Sequence, residues 1–228
     1  MSRFSKYQIA TGIAIIFHVV GLAGLLFFRQ SNFVNTTPLH LMLMAALLFY
    51  TQNKVNLNLL LFFLACFITG IAVEIIGTST GYLFGNYQYG KVLGPGFKNV
   101  PLIIGVNWFI IIYCCGVAVH TLLSDLSKKL SEEMERPIKR IKALSIIVDG
   151  ATLAVAFDWL IEPVAVKLGY WTWLGDGQIP MFNYISWFVI STFLLMIFHL
   201  LPIQKQNKFA INLLLIQAMF FLLLRTFL

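Results

Sequence analysis

Charged residues are sparse in seven stretches of this chain, and these stretches take up most of its length. They cover residues 8–28, 38–52, 57–77, 101–123, 143–162, 183–201 and 209–227. A helix needs about 20 apolar residues to cross the roughly 30 Å hydrocarbon core of a bilayer. The second stretch is short, and we expect it to tilt or to be re-entrant. The sequence therefore predicts an all-α polytopic transmembrane bundle of about seven helices.

The composition leaves no room for a soluble domain. The chain has 228 residues, of which 59% are hydrophobic and 11% are charged, whereas soluble domains carry about 25% charged residues. Seven spans would use about 140 residues and leave only connecting loops. We therefore expect residues 1–228 to form a single transmembrane domain.

The basic residues predict how the spans are oriented. With seven spans, eleven Lys and Arg fall on one side of the membrane and five on the other. The eleven are Arg3, Lys6, Lys54, six residues within 128–142, Lys205 and Lys208; the five are Arg29, Lys91, Lys98, Lys167 and Arg225. The positive-inside rule then predicts a multi-pass protein of the inner (plasma) membrane, with a cytoplasmic N-terminus and with the loops after the third and fifth spans outside. The same rule accounts for the net charge of +7 without a nucleic-acid partner.

Two sets of uncommon residues recur at constant spacing. Glu74, Gly81 and Tyr82 recur 88 positions later as Glu162, Gly169 and Tyr170, and Pro101, Trp108, Phe109 and His120 recur 79 positions later as Pro180, Trp187, Phe188 and His199. Both units begin on the same side of the membrane, so an axis along the membrane normal would relate them. We expect a parallel internal repeat with units at about 57–123 and 143–201, and a cavity between the two halves.

Four carboxyl groups, those of Glu74, Asp149, Asp158 and Glu162, lie within or at the ends of predicted spans. Asp149 lies toward the cytoplasmic half and about half a turn out of phase with Asp158, so we expect the other three to form the site. An ionised carboxylate near the bilayer centre raises the free energy of helix insertion by about 2.5–3.5 kcal/mol, so we expect a carboxyl within a span to have a specific role. Asp158 and Glu162 are four residues apart and share one helix face, and Pro163 is expected to end the regular helical hydrogen bonding there. If the repeat holds, Glu74 faces Glu162 across the cavity with Asp158 just beneath. The alternative is that they are ordinary helix-end carboxyls that reach water or pair with tyrosine and tryptophan donors.

Residues 158–173, with Pro180 and Trp187 after them, resemble the membrane carotenoid 1,2-hydratases, which include the bisanhydrobacterioruberin hydratases. Residues 81–90, with Pro101 and Trp108, resemble the first half of the same family. The resemblance covers roughly residues 74–199. It implies addition of water across the C1=C2 double bond of an acyclic carotenoid end group, such as that of lycopene or γ-carotene, to give a tertiary alcohol.

The carboxyl groups suit this reaction independently of the resemblance. Hydration protonates one alkene carbon, tolerates a tertiary carbocation and delivers water, so we expect no cofactor. Our hypothesis is that Asp158 or Glu162 is the acid and Glu74 the base that positions water. Aromatic faces can stabilise the cation. The expected substrate-binding residues are Trp108, Trp187, Tyr82, Tyr170 and Asn183.

Two other functions remain open from the sequence. A carotenoid cyclase would begin with the same protonation and let an alkene capture the cation. A small membrane transporter would also carry parallel repeats and carboxylates within its spans. Expected partners are the lipophilic carotenoid and membrane lipids, with other carotenoid-biosynthesis enzymes as candidates. His18 and His40 show no ligand spacing, so the sequence does not predict a metal site.

Overall fold

The computed structural model describes residues 4–28, 33–127 and 135–228. These ranges contain the α-helices α1 Lys6–Phe27, α2 Thr37–Tyr50, α3 Leu57–Thr80, α4 Ile103–Ser127, α5 Glu135–Lys167, α6 Met181–Leu200 and α7 Lys208–Phe227. A single 3₁₀ turn, Val34–Thr36, precedes α2. Every predicted apolar stretch overlaps one of these helices, so the polytopic helical bundle is confirmed.

Six of the helices are long and apolar enough to cross a membrane, and α2 is shorter. Its 14 residues rise only about 21 Å at 1.5 Å per residue, which is less than the roughly 30 Å of a bilayer core. The prediction of a short second segment is thus confirmed.

Local signals in the sequence set several helix ends. The Ser5 side chain accepts from the backbone N–H of Gln8, whose side chain in turn accepts from the Ser5 backbone, which forms a capping box at the start of α1. Asn56 and Asn207 cap α3 and α7 with their side-chain oxygens, which accept from backbone N–H groups of the first turn. Gly81 ends α3 with a left-handed backbone, φ 71°, and Gly169 follows α5 with φ 72°.

The expectation that Pro163 interrupts α5 is wrong, because the helix continues to Lys167. Proline has no N–H to donate to the carbonyl four residues earlier, which here belongs to Trp159. Arg225 of α7 takes over that role: its Nη1 donates to the Trp159 carbonyl at 3.1 Å. The guanidinium carbon also lies 3.8 Å from the centre of the Trp159 ring. A side chain from another helix thus satisfies the carbonyl that Pro163 leaves free.

Hydrogen bonds between helix ends show which ends lie together. At one end, Lys6 Nζ donates to the Gln52 carbonyl and Asn56 Nδ2 to the Pro202 carbonyl. At the other end, the Thr37 hydroxyl bonds to the Tyr170 hydroxyl at 2.8 Å. We call the first the basic end and the second, which carries the chain segments 81–102 and 168–180, the loop end.

The basic end holds most of the basic side chains in the described ranges. Lys6, Lys54, Lys142, Lys205 and Lys208 lie there, and so do the backbone positions of Arg136, Lys139 and Arg140 at the start of α5, while Lys91, Lys98, Lys167 and Arg225 lie toward the loop end. Arg3, Arg29, Lys128 and Lys129, which entered the charge count, lie outside the described residues. The side of the membrane that each end faces stays a prediction.

Helix α4 is the centre of the bundle. It packs against α2, α3, α5, α6 and α7, and 78% of its most apolar stretch is buried, compared with 28–44% in the other five long helices. The outward faces of those helices are apolar as well, with Ile16, Leu57 and Val189 each about 60–70% exposed. Apolar side chains on the outside are what a bilayer accommodates and water does not.

The loop end also contains short strands that the sequence did not predict. Strand β1 Tyr87–Tyr89 pairs antiparallel with β4 Trp171–Trp173. Strands β2 Gly96–Phe97 and β3 Val100–Pro101 form a hairpin, whose two turn residues, Lys98 and Asn99, both have positive φ, as a two-residue type I′ turn requires.

Candidate active site

The β1–β4 pair places four aromatic side chains over the ends of α3 and α5. Tyr87 lies opposite Trp173, and Tyr89 lies opposite Trp171. Since alternate residues of a strand point to the same face, all four can point inward while Gln88 and Thr172 point outward and are exposed. Each of the two tyrosines has a hydroxyl donor, and each of the two tryptophans has an indole N–H donor. The strand pair therefore covers the carboxyl groups with four hydrogen-bond donors. We call these four side chains, Tyr87, Tyr89, Trp171 and Trp173, the roof.

Glu74 receives three of the donors around this site. Its Oε2 accepts from the hydroxyls of Tyr87 at 2.5 Å and Tyr89 at 2.7 Å, and its Oε1 accepts from Trp108 Nε1 at 3.2 Å. The side chain is only 5% exposed. Both carboxyl oxygens are thus engaged, and Oε1 keeps one free acceptor position.

Glu162 is held by the other strand. Trp171 Nε1 and Trp173 Nε1 both donate to Glu162 Oε2 at 3.0 Å. Glu162 is 3% exposed, and its Oε1 has no hydrogen-bond partner among the described residues. One oxygen is therefore fixed by the roof, and the other is left for a proton or a ligand.

Asp158 has the fewest partners of the three carboxyls. It is 2% exposed, and Asn183 Nδ2 donates to its Oδ2 at 2.8 Å. Within the described ranges Oδ1 makes no hydrogen bond. A buried carboxyl with a single neutral donor is poorly compensated as a charged group, so this arrangement favours an Asp158 that carries a proton on Oδ1.

The three carboxyls surround one small cavity of about 30 Å³, which Phe84 and Trp187 also line. That volume holds one or two water molecules. A water-sized void with three carboxyls and an aromatic wall suits chemistry that combines a proton, a water molecule and a positive charge.

Burial and the neighbouring Glu74 carboxylate raise the pKa of Tyr87 and of Tyr89 above the ordinary value for a phenol. Both hydroxyls therefore keep their protons at neutral pH and act as donors to Glu74 rather than as bases.

Two glycines on α3 let the donors reach Glu74. Gly70 and Gly77 lie one turn before and one turn after it, on the same helix face. A Cβ atom on Gly70 would lie 2.5 Å from Trp108 Cδ1, and one on Gly77 would lie 2.9 Å from the Tyr87 hydroxyl. Any larger residue would displace the donors, so these glycines shape the site by close approach.

A stacked tryptophan pair closes the side of the cavity toward the bundle centre. The Trp108 and Trp187 rings lie 4.0 Å apart at 11°. Trp187 lines the cavity, whereas Trp108 lies behind it and contacts the site through its hydrogen bond to Glu74.

The structure brings together most of the residues that the sequence selected. Glu74, Asp158, Glu162, Asn183 and Trp187 line the cavity. Two selected residues lie elsewhere. Tyr82 is 78% exposed, and Tyr170 lines a different, larger cavity, where its hydroxyl bonds to Thr37. In its buried position the pKa of Tyr170 rises to about 12.

Sequence reasoning missed the four donors of the roof. Their signal is the pair of patterns Tyr-x-Tyr at 87–89 and Trp-x-Trp at 171–173, since a spacing of two puts both side chains on one face of a strand. Glu74 and Glu162 each take two donors from one of these strands, and Trp108 stacks on Trp187. The internal repeat and its boundaries nevertheless remain a prediction.

Across the described part of the chain, no three His, Cys, Asp or Glu side chains come together in a way that could hold a metal ion.

Comparison with known proteins gives the family. The chain matches, over residues 36–228, a family described as "Carotenoid biosynthesis protein". It is also similar to a protein of Haloarcula japonica named bisanhydrobacterioruberin hydratase, with 25% identity over 133 residues, 55% of this chain. The alignment covers only 40% of that relative's length. No solved structure matches this chain. Since the family match takes in all three carboxyls and most of the chain, this membrane protein belongs to the carotenoid biosynthesis protein family.

Proposed function

We propose that this protein is a carotenoid hydratase, which adds water across the C1=C2 double bond of an acyclic carotenoid end group. The main support for the proposal is the set of three buried carboxyls around a cavity large enough for one or two water molecules. The three carboxyls accept different numbers of hydrogen bonds. The family match and the name of the Haloarcula japonica relative support a carotenoid as substrate. Because the alignment covers only 40% of that relative, the geometry of the site is the main support for hydration.

Asp158 is the acid in this proposal. Its Oδ1 has no other partner in the described ranges, and its Oδ2 takes a single neutral donor from Asn183. In the first step the Oδ1–H proton goes to C2 of the alkene, and the electron pair of the double bond forms the new C–H bond. A tertiary carbocation remains at C1, and Asp158 becomes a carboxylate. Positioned proton transfer of this kind contributes about 10²–10⁴-fold to a rate.

Glu74 positions the water molecule. Its Oε2 is occupied by two phenol donors, so Oε1 is the atom that accepts from water. The water oxygen bonds to C1, and the proton that it loses returns through the carboxyl cluster to Asp158. The net change is addition of one water molecule, with no oxidation or reduction. Glu162, whose Oε1 has no partner among the described residues, is the relay between the two.

Aromatic rings stabilise the cation between the two steps. Trp187 and Phe84 line the cavity, and a ring face is worth about 0.5–2 kcal/mol toward a positive charge within about 6 Å. Trp108 stacks behind Trp187 and holds its plane.

The orientation of the protein in the membrane is also part of the proposal. The basic end would face the cytoplasm of a plasma membrane, and the loop end with its carboxyls would face outward. The membrane-spanning helices and the apolar outer faces are consistent with a lipophilic substrate that arrives from the bilayer.

Pigment analysis tests the proposal. The chain is expressed in cells that accumulate lycopene or γ-carotene, and the extracted carotenoids are separated and weighed by liquid chromatography and mass spectrometry. The proposal predicts a product heavier than its precursor by one water molecule, absent with Glu74→Gln and present with Tyr82→Phe. A product of unchanged mass would instead indicate cyclisation, and unaltered pigments from both precursors would contradict a carotenoid hydratase.

A further inference from the structure

A second cavity, about three times larger than the first, lies among α1, α2, α4, α5 and α7. Its volume is about 90 Å³, compared with about 30 Å³ for the carboxyl cavity. Four phenylalanines are among its lining residues: Phe33, Phe157, Phe220 and Phe221. Trp171 lines both cavities, and its Nε1 donates to Glu162. The two cavities are therefore separated by a single side chain at this point.

The second cavity also borders a groove on the outside of the bundle. The groove runs between α1 and α7, has a volume of about 270 Å³ and shares His18 and Phe220 with the cavity. Its remaining lining is apolar and partly exposed, including Val19 at 59% and Leu215 at 60%. A hydrocarbon chain in the bilayer can therefore lie in the groove with one end beside the cavity.

One wall of this cavity is polar, which an apolar chain alone does not require. Gln217 of α7 is only 5% exposed and lines the cavity. Its side-chain oxygen is buried and has no hydrogen-bond partner in the described ranges. An unpaired buried amide oxygen costs about 1–3 kcal/mol. A ligand that donates a hydrogen bond would recover much of that cost.

The histidine pair that lines the same cavity also presents an acceptor. His18 Nδ1 lies 2.7 Å from the Ala14 carbonyl, so this nitrogen carries the hydrogen and donates. In an uncharged imidazole the other nitrogen, Nε2, is then an acceptor, and His40 Nε2 lies 3.3 Å from it. His40 therefore donates from Nε2, which leaves its Nδ1 as an acceptor. No partner for this Nδ1 is found in the described part of the chain.

We propose that this cavity binds the hydroxyl-bearing end of a long isoprenoid hydrocarbon, with the hydroxyl donating its one hydrogen to Gln217 Oε1. A buried acceptor without a partner in an apolar pocket selects an alcohol over a hydrocarbon of the same shape. The choice of an isoprenoid chain rests on the proposed function, in which a tertiary alcohol forms just beyond Trp171. The selection of a hydroxyl rests on the cavity alone.

Equilibrium binding to the purified full chain in lipid nanodiscs tests this inference. The probes are tritiated geranylgeraniol and the matching C20 hydrocarbon without the hydroxyl. Gly21→Leu fills the cavity, since a Cβ atom there meets only Phe220 at 3.7 Å. Gly12→Leu is the matched control on the same helix, because no atom lies within 4 Å of its Cβ position. Gln217→Leu removes an acceptor at nearly constant size.

The expected results separate shape from hydrogen bonding. Gly21→Leu weakens the binding of both probes at least tenfold, and Gly12→Leu weakens neither. Gln217→Leu weakens geranylgeraniol about fivefold, the ordinary effect of one neutral hydrogen bond, and leaves the hydrocarbon unchanged. Gln217→Met gives the same selective loss and replaces Gln217→Leu if that variant does not fold. Equal affinity of both probes for the unchanged protein would overturn the inference, as would full binding to Gly21→Leu.

The same experiment distinguishes this inference from the proposed function. Glu74→Gln removes hydration under that proposal but leaves geranylgeraniol binding unchanged, because Glu74 does not line this cavity. Selective alcohol binding by a protein that hydrates no carotenoid would contradict the proposed function alone. Hydration without any preference for the alcohol would contradict the inference alone.

Discussion

Replacing Tyr87 or Tyr89 with phenylalanine removes one hydroxyl donor from Glu74 and leaves the ring in place. Tyr87 is 6% exposed and its hydroxyl lies 2.5 Å from Glu74 Oε2; the Tyr89 hydroxyl lies 2.7 Å from the same atom. Glu74 is itself buried, so no bulk water can replace the lost donor. Each variant therefore leaves a buried carboxylate with two donors instead of three.

The size of the effect follows from the charge of the acceptor. A hydrogen bond to a charged group contributes about 1.5–3 kcal/mol. When that contribution is missing, the charged form of Glu74 is less populated, and the neutral form can neither balance a carbocation nor accept a proton from water. Since about 1.4 kcal/mol is tenfold in rate, each single variant is expected to hydrate carotenoid about 10–150-fold more slowly. The double variant is expected to be slower than either single variant.

The assay is the initial rate of product formation by purified protein in liposomes that contain the carotenoid, with thermal unfolding followed in parallel. Tyr82→Phe is the matched control, because Tyr82 lies in the same segment and is 78% exposed. Its rate is expected to be unchanged. Full activity of the folded Tyr87→Phe and Tyr89→Phe variants would refute the role given to Glu74, and so would an equal loss in Tyr82→Phe.

Two further predictions concern how the structure holds the site. Gly70→Ala is expected to lower the free energy of unfolding by about 1–3 kcal/mol, because its Cβ would lie 2.5 Å from Trp108. Gly12→Ala, with open space around it, should change the free energy of unfolding little. Equal effects of the two variants in an unfolding titration would contradict the packing argument. Arg225→Met is expected to cost about 1.5–3 kcal/mol, because it leaves the Trp159 carbonyl unpaired. In a Pro163→Ala background, where the helix can supply an N–H, the cost of Arg225→Met should fall by about 1 kcal/mol, and a double-mutant cycle that shows no coupling would contradict this account.

The positions of the helices could be predicted because apolar length alone decides which segments can cross a bilayer. The meeting of Glu74 with Asp158 and Glu162 could also be anticipated, since charged groups within apolar helices need a shared polar environment. The hydrogen-bond donors to these carboxyls could not be predicted. The donors come from two strands of three residues, Tyr87–Tyr89 and Trp171–Trp173, which are too short to stand out against an aromatic interface belt.

The continuation of α5 through Pro163 could not be predicted from the sequence for a related reason. Proline is a local signal for a helix end, but the residue that offsets it, Arg225, lies on α7. Tyr82 and Tyr170 occupy equivalent places in the sequence pattern, yet one is exposed and the other is buried against Thr37. Spacing along the chain fixes where a backbone position lies and leaves the direction of its side chain to tertiary packing.

The central claim is that Asp158 gives a proton to the alkene and that water captures the cation. The most direct test is to incubate purified protein with lycopene or γ-carotene in liposomes prepared in water enriched in oxygen-18, and to measure the mass of the product. Asp149→Asn is the matched control, since Asp149 lies on the same helix and is exposed. We predict one oxygen-18 atom per added hydroxyl, an unchanged rate in Asp149→Asn and a rate at least 100-fold lower in Asp158→Asn. Incorporation of oxygen-18 at the full rate by folded Asp158→Asn would contradict the claim.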